Sequence, residues 1–159
     1  MTQEEAILKT LAYHDIFDYP LTKEETYKYL IEKKASLQTI SNQIQNLKSQ
    51  SKIGEKRGYF FLKGRANIIP MRKTRHTYSQ KKLKRALFYS KLLTLIPTLQ
   101  FVGVSGALAM DNSKKSDDID LMVICAKNTL WTTRLLANLL LLPFKRDPQG
   151  KKIADRVCL

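Results

Sequence analysis

Ser105-Gly106, then a polar loop, then Asp118-Ile119-Asp120-Leu121-Met122-Val123-Ile124: this stretch decides the reading of the chain. The apolar residues before it, Gln100 to Val104, predict one strand, and Ile119 to Cys125 predict a second that opens beside two alternating carboxylates. Side chains alternate across a strand, so Asp118 and Asp120 share a face, roughly 6.5–7 Å apart along the backbone. Two convergent carboxylates can share divalent cations, and Mg²⁺ favours one or two carboxylates together with phosphate oxygens and water. The apolar run behind them anchors the strand in a core and leaves its acidic end at the edge. Glycine at 106 lets backbone approach a phosphate with no Cβ in the way, and Ser105 adds a hydroxyl. Ala107-Leu108-Ala109-Met110 predicts a helix opening there, whose first N–H groups would face an anion. Taken together, the pattern suits metal-dependent chemistry on a nucleotide.

The combination Phe101-Val102-Gly103-Val104-Ser105-Gly106, a gap, and Asp118-Ile119-Asp120 with an apolar tail resembles the nucleotidyltransferase superfamily of the DNA polymerase beta type. That family carries an apolar strand, a Gly-Ser or similar small pair, about ten residues, then Asp-apolar-Asp/Glu-apolar; here the small pair runs Ser-Gly. The likeness spans roughly Leu99 to Phe144. It implies Mg²⁺-dependent transfer of a nucleoside monophosphate from a nucleoside triphosphate, with two Mg²⁺ ions bridged by Asp118 and Asp120 and the phosphates held at Ser105 and Gly106. It also implies a third carboxylate from a later strand. Asp155 stands near such a strand, and Asp147 lies in a loop beside Pro148. Ala154 to Leu159 reads as the opening of a strand, so the core is expected to be incomplete at its C-terminus; if the chain is truncated, the third ligand would lie beyond Leu159 rather than at Asp155 or Asp147. Asp117 points away from the pair and is expected to end the loop or cap a turn. Lys114 and Lys115 read as a solvated loop.

The 159 residues carry a formal net charge of +14, with 28 Lys and Arg against 14 Asp and Glu. Such a field attracts polyanions: nucleotides, nucleic acid or an anionic surface. The two cysteines, Cys125 and Cys158, fit neither a disulfide framework nor zinc spacing, and Cys125 reads as a small buried hydrophobe on the second strand. The acidic start Met1-Thr2-Gln3-Glu4-Glu5 is not that of a signal peptide. The longest apolar run, Leu135 to Phe144, falls short of the ~20 residues of a membrane span. A cytoplasmic protein without membrane segments is expected.

Residues 1–64 read as a module of their own. Thr2-Gln3-Glu4-Glu5 and Thr22-Lys23-Glu24-Glu25 are capping boxes. Ile7, Leu8, Leu11, Ala12 and Phe17 follow the first at helical spacing, Asp18-Tyr19-Pro20 breaks it, and Tyr27, Leu30 and Ile31 follow the second. Ser36 precedes a third helix with Leu37, Ile40, Ile44 and Leu47 as its stripe. Ile53-Gly54-Glu55, a Lys56-Arg57-Gly58 turn and Tyr59-Phe60-Phe61-Leu62 predict a hairpin with a basic tip. Three helices and a hairpin resemble a winged helix, which implies a third helix able to enter the major groove and a wing on phosphate. Its exposed face would carry Gln38, Ser41, Asn42, Gln45, Asn46 and Lys48, amides and hydroxyls that can read base edges.

Residues 65–97 read as a basic helical connector, broken near Pro70 and helical from about Thr74. Its Arg65, Arg72, Lys73, Arg75, Lys81, Lys82, Lys84, Arg85 and Lys91 read as solvated stems or as a positive rim for nucleic acid or a triphosphate. Ala86, Leu87, Tyr89, Leu92 and Leu93 would pack on the core, residues 98–159. His14 and His76 stand alone and read as packing or surface residues. The expected class is α+β: an N-terminal winged-helix-like domain, then a small nucleotidyltransferase-like α/β core. Two alternatives accompany the enzyme reading: a nucleic-acid-binding regulator whose core is degenerate or senses nucleotide, and, by family analogy alone, a toxin–antitoxin component that modifies a partner protein.

Overall fold

A computed structural model describes residues 1–146 and 153–159. The chain is mixed α+β and divides into two compact units, Met1–Lys73 and Thr74–Leu159. The division falls inside one long helix, whereas the sequence pattern suggests a separate connector over 65–97.

In the first unit, α1 (Gln3–Asp15), α2 (Lys23–Lys28) and α3 (Leu37–Ser49) precede a hairpin of β1 (Ile53–Lys56) and β2 (Tyr59–Leu62). Both capping boxes form: Thr2 and Thr22 each accept from the N–H three residues on, and Glu5 and Glu25 reach back to the cap. These bonds satisfy N–H groups that the first helical turn leaves unpaired. The hairpin turns through Arg57 and Gly58, both at positive φ (57° and 78°), the twist that suits a two-residue connection. Leu21, before α2, exchanges both backbone hydrogen bonds with Phe60 (3.1 and 2.7 Å), so the hairpin gains a short third edge. Ile7, Leu11, Leu21, Ile40, Ile44, Leu47, Ile53 and Phe60 close the core. Ala12, Phe17 and Leu37, counted with the apolar stripes from spacing alone, are exposed. His14 is buried, its Nδ1 2.8 Å from the Thr10 carbonyl, with Tyr19 and Tyr29 packed against its ring.

Helix α4 (Ile68–Leu93) begins before Pro70 rather than after it. Proline in a first turn loses only an N–H that has no helical partner there, so it need not break the helix. In the second unit, β3 (Leu99–Val104) runs antiparallel to β4 (Ile119–Cys125), and β5 (Val157–Cys158) lies parallel on the other side of β4, giving the order β3-β4-β5. Between β3 and β4 sits α5 (Gly106–Ala109), a single turn. After β4 come α6 (Leu130–Leu141) and a 3₁₀ turn over Leu142–Phe144. Ile119 and Leu121 point inward to Ala86, Tyr89 and Leu93 of α4, Ala137 and Leu141 of α6, and Val157. Their neighbours Met122 and Ile124 are each 50% exposed. One face of the sheet therefore carries the core and the other is open, with Asp120 on the open side. Among the described residues no helix is long and apolar enough to cross a membrane.

Candidate active site

The open end of β4 gathers the residues singled out from sequence. Register Val104↔Leu121 continues one step, and the Ser105 N–H donates to the Asp120 carbonyl at 3.0 Å. The small pair thus lies directly beside the second carboxylate. Gly106 has φ +62°, and a Cβ built there would stand 2.8 Å from Asp120 Oδ2. A side chain at 106 is excluded twice, by conformation and by the carboxylate packed against the backbone. Ser105 is extended and its hydroxyl makes no capping bond. Because α5 is one turn long, ending at Met110 with Asp111 at φ 55°, the helix-dipole part of the phosphate expectation loses its support. Ser105 and the bare backbone of Gly106 remain.

Asp118 and Asp120 do converge. One oxygen of each and the Cys158 thiol lie within 4.8 Å of one another, all three half-buried. Strand alternation puts the carboxylates on one face, and the β4–β5 register adds the thiol, since Asp120 is the partner of Cys158. Sequence reasoning misses Cys158 in this role. Its place on a final strand is the only hint, and the family pattern draws attention to carboxylates. Asp155, the better placed candidate for a third carboxylate, is not in the cluster. It sits in the turn before β5 at φ 62°, paired with Arg85 at 2.8 Å. Asp147, the other candidate, lies outside the described residues. Cys125, expected to be buried, is only half-buried.

Burial, and next the charge of Asp118, raise the Asp120 carboxyl above the usual carboxylate range; the Arg146 charge works the other way. Arg146 Nη1 stands 3.0 Å from Asp118 Oδ2. The donor set fits a divalent ion. Two carboxylates suit a hard cation such as Mg²⁺, while the sulfur broadens the set toward softer first-row ions.

Behind the pair, the loop over residues 111–117 is fixed by α4. Lys82 is only 1% exposed, and its ammonium donates to Ser113 Oγ (3.1 Å) and to the carbonyls of Lys114 (2.5 Å) and Asp117 (2.6 Å). Desolvation lowers its pKa from the ordinary lysine value. The Ser113 N–H donates to Ser79 Oγ at 3.0 Å, Arg75 Nη1 to Asn112 Oδ1 at 3.2 Å, and His76 pairs with Asp111. The Asp117 carboxylate accepts from the Lys114 N–H at 2.7 Å, the turn-capping role expected of it. The Asp117 carbonyl also takes the Asp155 N–H at 3.1 Å, tying the entry of β4 to that of β5. Lys82 and Arg75 are therefore buried scaffold, not a solvated rim. Arg72 is buried in the first unit in the same way, bonded to the Pro20 carbonyl (2.6 Å) and Glu25 (2.6 Å), with its guanidinium 3.8 Å from the Tyr19 ring centre.

No family model, curated protein or solved structure matches the chain.

Proposed function

We propose that the chain is a divalent-metal-dependent nucleotidyltransferase that moves a nucleoside monophosphate, most simply AMP, from a nucleoside triphosphate to an acceptor hydroxyl. The observation that supports it best is the meeting of three features at the head of the central strand β4: the carboxylates of Asp118 and Asp120, their convergence within 4.8 Å with Cys158, and the bare backbone of Gly106 packed on Asp120. Each is ordinary alone. A carboxylate pair beside a backbone stretch that admits no side chain is what a metal-bound phosphate chain requires.

In this reading Asp118 and Asp120 hold the metal, and Cys158 stands as the neighbouring donor. Transfer of a nucleotidyl group consists of attack by the acceptor oxygen on the α-phosphorus and departure of pyrophosphate. It needs alignment and charge neutralisation more than covalent help from protein. Divalent ions, Mg²⁺ by expectation, supply the charge neutralisation when bound. The Ser105 hydroxyl and the Gly106 backbone would give the phosphates polar contacts beside the metal-holding Asp120. Lys82, through the Asp117 carbonyl, keeps the entry of β4 fixed while the phosphates are handled.

ATP binding by calorimetry, with and without Mg²⁺, tests this on the chain and on the Asp118→Asn/Asp120→Asn variant. Binding that needs Mg²⁺ and vanishes in the variant is the expected result. Equal binding by both proteins would remove the site.

The first unit favours a second activity. Three helices, a hairpin tipped by Lys56-Arg57 and the Leu21–Phe60 edge support a winged-helix reading. On α3, Gln38, Asn42, Gln45 and Asn46 are exposed. With a net charge of +14, duplex nucleic acid is the proposed partner, and a regulator is the alternative to the enzyme. Anisotropy titrations should then show affinity falling steeply as salt rises. Affinity indifferent to salt would exclude phosphate contacts.

A further inference from the structure

We propose that Arg146 is a metal-gated cation: it neutralises Asp118 until a divalent ion enters, and then carries its charge to the phosphates of the bound nucleotide. The proposal rests on the nucleotidyltransferase reading of the site.

Three observations carry it. The base of the side chain is tethered: the Arg146 N–H donates to the Val157 carbonyl at 3.1 Å, and Lys145 forms a parallel bridge with Val157. Val157 precedes Cys158, so the backbone at 146 is tied to the strand that completes the cluster. Next, the guanidinium reaches the cluster itself, with Nη1 3.0 Å from Asp118 Oδ2, an atom a metal ion would also claim. Finally, the pair is unequal in exposure, 48% for the Arg146 side chain against 15% for Asp118. The carboxylate is the more enclosed partner, and the cation, half-exposed, has solvent to swing into without leaving its tether.

A half-exposed ion pair is weak, so a divalent cation placed between Asp118 and Asp120 can displace it. The displaced group is well suited to binding phosphate. A guanidinium keeps its charge at any working pH and matches phosphate oxygens in paired, planar geometry. The contact to Asp118 engages one nitrogen of a group that has five N–H donors. Competition for Asp118 and then capture of phosphate make two demands of opposite sign on one residue. A merely structural ion pair would also compete for Asp118 but would make no demand on phosphate binding, so the second effect is the one that separates the two.

The test is calorimetry at constant ionic strength on the full chain and on Arg146→Gln and Asp118→Asn, using Mn²⁺ alone and then ADP in saturating Mn²⁺. ADP carries the diphosphate but cannot donate a nucleotidyl group with pyrophosphate release. Thermal melts beforehand establish that the variants fold. Arg146→Gln should bind Mn²⁺ about two- to fivefold more tightly, the range a displaced surface ion pair represents, and should bind ADP several-fold more weakly. Unchanged or weaker Mn²⁺ binding in Arg146→Gln, with the parent chain binding normally, would overturn the competition. Unchanged ADP affinity would overturn the transfer to phosphate. If the parent chain itself binds no Mn²⁺, the nucleotidyltransferase reading fails and the role of Arg146 with it.

Discussion

Gly106 and Asp120 form the tightest constraint at the scale of single residues. A Cβ at 106 meets Asp120 Oδ2 at 2.8 Å, and φ is +62°. Gly106→Ala should therefore lower stability by roughly 1–3 kcal/mol, the cost of a non-glycine residue in the left-handed region with a contact added. It should also displace the carboxylate and weaken Mn²⁺ binding. Urea unfolding and calorimetry check the two effects, and a variant as stable as the parent would show that the backbone there is not held as described. Asp120 sets a pH dependence. Its carboxyl is raised by burial and by Asp118, so between the usual carboxylate range and the raised value the folded chain holds a proton that the unfolded chain has released. Stability contributed by that protonated form is present at low pH and lost as pH rises through the window. Metal binding at the proposed site should run the other way and strengthen over the same interval as the carboxylate ionises. Asp120→Asn should flatten the pH dependence of the melting temperature there and raise the melting temperature at neutral pH. Melting curves across mildly acidic pH measure this, and an unchanged slope would contradict it.

At the scale of elements, the strands are legible in the sequence and the long-range junctions are not. Alternation along Ile119–Cys125 gives the face of Asp118 and Asp120, because period two is a local property of the chain. The capping boxes of α1 and α2 and the Arg57-Gly58 turn are equally local. Cys158 cannot be assigned in advance, because its place beside Asp120 is set by the parallel pairing of β5 with β4, a contact between distant parts of the sequence. Lys82 is unreadable for a related reason. In the sequence it stands among many basic residues, and only the fold shows its ammonium enclosed by two carbonyls and a hydroxyl. Replacing it by methionine of similar length leaves those acceptors unpaired and should cost about 1–3 kcal/mol. Amide exchange should also quicken around Asp117 to Asp120, measurable by NMR while the chain is still folded. Exchange unaltered in Lys82→Met would mean that α4 does not hold the loop.

At the scale of the whole molecule, two compact units stand on one chain with one strong bias of charge. The first unit presents a polar helix face and a basic hairpin tip; the second presents an acidic pair on an otherwise basic protein. A net charge of +14 draws polyanions to any part of the surface, so binding of nucleotide alone does not locate a site. Locating the metal does. The most direct measurement is an ¹⁵N–¹H spectrum of the labelled chain titrated with substoichiometric Mn²⁺, whose unpaired electrons broaden nearby amides. Selective loss of the Ser105, Gly106, Asp118, Asp120 and Cys158 signals, abolished by Asp118→Asn/Asp120→Asn, is the expected result. Broadening spread over the chain, or centred elsewhere and unchanged in that variant, would contradict a metal site at the head of β4.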